Sequence, residues 1–112
     1  LRRRMTRDEL IAGILAASGP KPVAVEIDGR GTVHVRVMTA YDAEQMRKSL
    51  ESLPKDDGCY VGRMIAFVLC DEQGVSLFDP ANAETVLRLS KLPPKMQQRI
   101  MQAANEATTG NA

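Results

Sequence analysis

The chain has 112 residues, 44% apolar and 26% charged, which suits one small folded domain and argues against a disordered chain. Aromatic residues make up only 4%, with no tryptophan, which weighs against the exposed-ring platforms of carbohydrate and single-strand nucleic-acid binders. The net charge of +1 becomes −2 once the three charges of Arg2, Arg3 and Arg4 are set aside, so the body of the chain carries no nucleic-acid footprint.

Met5-Thr6 looks like a natural start, and residues 1–5 are expected to be an extension or flexible arm. Thr6 and Glu9 then have the T-x-x-E form of a capping box, in which each residue satisfies an unpaired backbone group of the other. The spacing predicts a helix with Leu10, Ile11, Ile14 and Leu15 on one face, stopped by Gly19-Pro20. From Val23 the period falls to two. Val23, Val25 and Ile27, then Val33, Val35 and Val37, predict a β-hairpin turning at residues 28–31. Its valine-rich face needs a cover, because a lone two-stranded ribbon is marginal in water.

Residues 39–42 open a second helix with Ala43, Met46, Leu50 and Leu53 in a stripe, ended by Pro54 and a polar turn at 55–58. The apolar run 59–70 is long for a strand and reads as helix. A short extended piece at 75–78 follows, and Asp79-Pro80 is expected to cap the next helix, with proline at its first position. Leu92-Pro93-Pro94 starts a last helix, striped by Met96, Ile100, Ala103, Ala104 and Ala107. Residues 108–112 should fray. The fold class is mainly α with a small β-hairpin (α+β), about five short helices around one core, in a single domain over 6–107.

Several chemistries fail on spacing. Asp71, Glu72, Gly74 and Asp79 suggest a calcium loop, but glycine falls fourth rather than sixth and position 82 is Asn rather than the closing Glu. Adjacent Asp71 and Glu72 read as a solvated turn, not as an acid–base pair whose environments differ. Cys59, Cys70 and His34 are too few for a closed zinc site, which needs about four ligands. His34 has no nucleophile and acid in a recognisable set with it. Gly29-Arg30-Gly31 lies in a hairpin rather than before a helix, so it reads as a turn and not a phosphate loop. No stretch reaches the ~20 apolar residues of a membrane span, and there is no signal-peptide pattern, so a cytoplasmic location is expected. No catalytic residue, cofactor or metal is expected. Two surfaces are candidates for partner binding: the Met96, Ile100, Met101 face, whose flexible side chains suit either core packing or varied partners, and the Val33, Val35 strand.

As an ordered whole, the chain resembles the tail assembly chaperones of long-tailed phages over nearly all of Met5 to Asn105. A short N-terminal helix precedes "GTVHVRVMTA" (31–40), like the family's G-x-V-x-V-R strand leading into a helix. Arg63 lies in an apolar run that flows into "LCDEQGVSLF" (69–78), like the family's D-E-x-G-x-x-L-F. An Asp-started helix and an alanine-rich closing helix with Asn105 complete the order. The chain departs from the pattern at residues 27–30, where many relatives carry a tryptophan before the first glycine, and at Leu92-Pro93-Pro94.

The resemblance implies a non-enzymatic morphogenesis factor in the host cytoplasm, absent from the mature virion. It implies binding to the tape measure protein, self-association, and promotion of tail tube assembly, with a longer frameshifted form recruiting the major tail tube protein. Two further classes stay open: a small virion structural or adaptor protein, found in particles, and a nucleic-acid-binding regulatory domain using the arm at 2–7, found by salt-dependent DNA binding.

Overall fold

The computed structural model describes residues 4–54 and 56–110. Residues 1–3 of the expected arm, Lys55 of the expected polar turn and residues 111–112 of the expected tail lie outside the described residues. In chain order the elements are α1 (Arg7–Ala16), β1 (Val23–Ile27), β2 (Gly31–Val35), α2 (Ala40–Glu51), α3 (Tyr60–Val68), β3 (Leu69–Cys70), α4 (Ala83–Ser90) and α5 (Pro94–Thr109). Among the described residues, five helices and a small antiparallel sheet make this an α+β fold.

The alternating valines place the sheet at the centre. β1 and β2 pair antiparallel with Val23 opposite Val35 and Val25 opposite Val33. The turn between them uses left-handed backbone at Gly29 and Gly31, which a side chain would strain. A third strand joins the expected hairpin: β3 pairs antiparallel with the free edge of β2, Leu69 opposite Val35 and Cys70 opposite His34. The apolar run 59–70 therefore is not helical throughout. Leu69 turns extended at φ −78°, ψ 132°, and the Val68 carbonyl accepts from the Arg36 N–H at 2.9 Å, so the open edge of β2 captures the end of the run.

Local chemistry sets the helix starts. Both capping boxes form: the Thr6 hydroxyl accepts from the Glu9 N–H at 3.1 Å, and the Thr39 hydroxyl from the Asp42 N–H at 3.2 Å. At α4 the expectation needs correction. The Asp79 carboxylate accepts from the Ala81 N–H and its carbonyl from Asn82, closing a turn that contains Pro80. Asn82 is the cap, accepting from Thr85 N–H at 3.1 Å, so the helix starts three residues later than the Asp-Pro pair suggests. The chain end differs too. α5 runs through Thr109 and closes on Gly110 at φ 80°, and the Thr108 hydroxyl accepts from the Met38 N–H at 3.0 Å, so residues 108–110 are part of the folded unit rather than a frayed tail.

The core lies between the sheet and three helices. β1 and β2 contribute Val25, Ile27 and Val35; α3 contributes Ile65, Ala66 and Val68; α4 Val86 and Leu89; α5 Ile100, Ala104 and Ala107. Neither α1 nor α2 has a buried residue. Gly62 of α3 is buried directly against α4. A methyl group there would stand 2.8 Å from the Ser90 amide nitrogen and closer still to the Ser90 hydroxyl and the Val86 carbonyl. Two of these three atoms are backbone and cannot swing aside, so Gly62→Ala is expected to destabilise the fold by about 1–3 kcal/mol. A urea titration followed by circular dichroism checks this, and an unchanged midpoint would contradict the close approach.

Candidate functional site

The segment from Asp71 to Ser76 is a tight turn built by one carboxylate. Asp71 Oδ1 accepts from the Gln73 N–H at 2.8 Å and the Val75 N–H at 2.9 Å, and its backbone exchanges hydrogen bonds with Gly74 and Val75. Gly74 adopts φ 83°, the left-handed conformation that the turn requires. Asp71 is thus occupied by backbone donors. Ser76 of the expected extended piece 75–78 stands opposite Cys70 in an isolated antiparallel bridge, closed by the Leu77 N–H on the Leu69 carbonyl and the Asp71 N–H on the Val75 carbonyl.

Arg36 locks this turn to the rest of the molecule. Its Nε donates to the Phe67 carbonyl at 3.0 Å, its Nη1 to the Gly74 carbonyl at 2.8 Å, and its Nη2 to the Ser76 hydroxyl. The guanidinium therefore joins the end of β2, the last turn of α3 and the 71–76 turn. The G-x-V-x-V-R and D-E-x-G stretches, far apart in the chain, meet through this one side chain.

His34 and Cys70 are cross-strand partners, the one histidine–cysteine pair that the register brings together among the described residues. Cys70 is fully buried, and burial pushes its thiol above the ordinary value, with Arg36 opposing and Asp71 adding to the shift. That is the reverse of an activated thiolate. Cys59 is also a free, buried thiol. No three His, Cys, Asp or Glu side chains among the described residues are placed to hold a metal ion, and none of the described helices is long and apolar enough to cross a membrane.

An ion pair sets the entry to α3. Asp57 and Arg63 form a two-pronged salt bridge, and Asp57 also accepts from the Cys59 N–H at 2.9 Å. The Arg63 hydrogen bond, then that of the Cys59 amide, hold the Asp57 carboxyl below its ordinary value. The pair thereby ties the residue before α3 to its first turn, in a helix whose N-cap residue Cys59 makes no side-chain cap hydrogen bond.

The five residues nominated for partner binding fall in or against the core. Val35 and Ile100 are buried and have no surface to offer a partner in this fold. Val33, Met96 and Met101 are partly buried and pack against the same cluster. Each stripe is turned inward because β2 and α5 cover one another. The large apolar surface lies elsewhere. On α1, Ile14 is 73% and Leu15 65% exposed, with Leu10 and Ile11 also open. Tyr41, Tyr60, Val75 and Leu87 add exposed positions on other elements. Beside the connection from α1 to β1 lies an open cleft of about 960 Å³, walled by Lys21, Tyr41, Asp42 and the 72–74 turn. Sequence periodicity detects the α1 face but not its exposure, because a stripe has the same spacing whether or not it is covered.

Two substitutions test these anchors. Arg36→Lys keeps the charge but loses the forked geometry, and a loss of about 1–3 kcal/mol is expected, with faster amide hydrogen exchange at Val75; unchanged exchange would show that the turn stands without the clamp. For Asp57, a carboxyl lowered on folding stabilises above its ordinary value of 3.8, and this is lost as pH falls through the folded-state pKa. The urea midpoints of wild type and Asp57→Asn should therefore differ at neutral pH and converge in acid. A gap that persists in acid would assign the effect to something other than the charge.

Comparison with known proteins finds no matching family model, no matching curated protein and no matching solved structure.

Proposed function

We propose that the chain is a phage or prophage tail assembly chaperone, a non-enzymatic factor that binds the tape measure protein, keeps it soluble and promotes tail tube assembly. The observation that carries this reading is an excess of surface. The chain exposes 8284 Å² at 12.3 kDa, where a compact monomer of that mass exposes roughly 6,100 Å². Its radius of gyration is 16.9 Å, against roughly 13 Å for a compact domain of this length. Setting aside the six residues outside the description at an upper limit of roughly 160 Å² each still leaves more than about 1,000 Å² of excess. A chain with so much uncovered area is suited to work inside an assembly.

The resemblance of the ordered motifs supplies the kind of assembly, and the meeting of two of those motifs at Arg36 gives their order a physical reason. Coating a long helical client calls for many weak, adaptable apolar contacts rather than one deep pocket. Self-association along the client and recruitment of the major tail tube protein by a longer frameshifted form complete the proposal. The work is done in the host cytoplasm, and the chain leaves before the virion is finished.

The test is co-expression with the tape measure protein of the same phage or prophage locus. The expected result is a soluble client that co-purifies with several copies of this chain. An insoluble client beside abundant folded chain would overturn the proposal. Recovery of the chain from purified particles would replace it with a virion structural or adaptor role.

A further inference from the structure

The chain has two Asp-Gly pairs: Asp28-Gly29 in the turn of the β1–β2 hairpin and Asp57-Gly58 just before α3. Such a pair carries a chemistry of its own. Glycine has no side chain to hinder its amide nitrogen, which can attack the carboxyl carbon of the aspartate before it. Neither the Gly29 nor the Gly58 N–H donates a hydrogen bond among the described residues. The nucleophile is therefore equally free at the two sites, and the carboxyl groups decide between them.

At Asp57 both oxygens are held. Oδ1 accepts from the Cys59 N–H at 2.9 Å and from Arg63 Nη1 at 3.2 Å, and Oδ2 accepts from Arg63 Nη2. Any rotation of this carboxyl has to break charge-assisted bonds first. The Arg63 charge also keeps the group ionised, whereas loss of water from it requires a protonated carboxyl. Asp28 has none of this. It is exposed, as are Gly29 and Arg30 beside it, and its carboxylate has no hydrogen-bond or ion-pair partner among the described residues.

We infer that Asp28 is a site of spontaneous isomerisation to isoaspartate, and that Arg63 and the Cys59 amide protect Asp57 from the same reaction. The Gly29 nitrogen gives up its proton to solvent and bonds to Asp28 Cγ, whose hydroxyl leaves as water. The five-membered succinimide that results is then opened by water. Attack at Cγ restores aspartate. Attack at the former Asp28 main-chain carbonyl breaks its bond to nitrogen and leaves the chain running through Cβ and Cγ. Water lost is water regained, so mass is unchanged and no oxidant or reductant takes part. The product inserts a methylene carbon into the backbone beside Ile27, whose pairing with Gly31 closes the hairpin and whose carbonyl accepts from the Arg30 N–H at 2.9 Å. The inference does not depend on the identity of any client.

Prolonged incubation of the full chain at neutral pH and 37 °C tests it, with isoaspartate located by electron-transfer fragmentation of its peptides. A parallel sample unfolded in guanidinium chloride under reducing conditions gives the intrinsic rates of the two sites. In the native chain isoaspartate should accumulate at 28, and the ratio of rates at 28 and 57 should exceed that of the unfolded chain at least about tenfold, the factor that one charge-assisted hydrogen bond carries. Arg63→Gln, checked for folding by circular dichroism, should raise the rate at 57 severalfold and leave that at 28 unchanged. Asp28→Glu, whose longer side chain would have to close a six-membered ring, should abolish the product at the hairpin. A native chain without isoaspartate at 28, a ratio equal to that of the unfolded chain, or a rate at 57 indifferent to Arg63→Gln would each overturn the inference. None of these results bears on client solubility in co-expression, so the two readings fail separately.

Discussion

The fold depends on a strand edge that is closed by one guanidinium. β2 has β1 on one side; its other edge would be an exposed template for further pairing. The end of the apolar run turns from helix to strand to occupy that edge, and Arg36 secures the change by donating to the last turn of α3 and to the turn that follows β3. A charged donor to three oxygens in fixed directions sets the angle at which α3 leaves the sheet. Helices α4 and α5 are then seated against α3 and the sheet, with Gly62 allowing the close approach of α4 and Gln97 donating to the final carbonyls of α4.

Around that framework the molecule divides by chemistry. The core contains only aliphatic, alanine and cysteine side chains, with no polar or charged residue buried among the described residues. The polar work is done at the margins: two capping boxes, the Asp57–Arg63 pair and the Asp71 turn. Large apolar side chains that the core does not use are left outside, concentrated on α1. That is an unfavourable arrangement for a solitary protein and a natural one for a component that meets other chains.

Much of this was legible in the sequence where the determinant is local. The capping boxes at Thr6 and Thr39, the period-two valines and Pro94 at the first turn of α5 need only neighbouring residues. The failures have non-local causes. Nothing in residues 69–70 marks them as strand, because the edge that captures them lies in residues 34–35. Asp79 and Asn82 are both good caps three residues apart, and the choice rests on a turn closed by Asp79. The stripes of Val33 and Val35 and of Met96, Ile100 and Met101 were visible, but the mutual cover of β2 and α5 decides that they face inward. The α1 face was equally visible, and periodicity says nothing of its lack of cover.

Two of the four aromatic rings of this protein stand in solvent, while Phe67 and Phe78 are partly buried. It has no tryptophan and two tyrosines, and Tyr41 and Tyr60 are 71% and 61% exposed. The aliphatic core encloses neither. Unfolding therefore moves both tyrosines from water to water, and their emission is a poor reporter of it. A neighbour settling over α2 or the start of α3 takes a phenol out of solvent instead. In this molecule intrinsic fluorescence is an indicator of company rather than of folding.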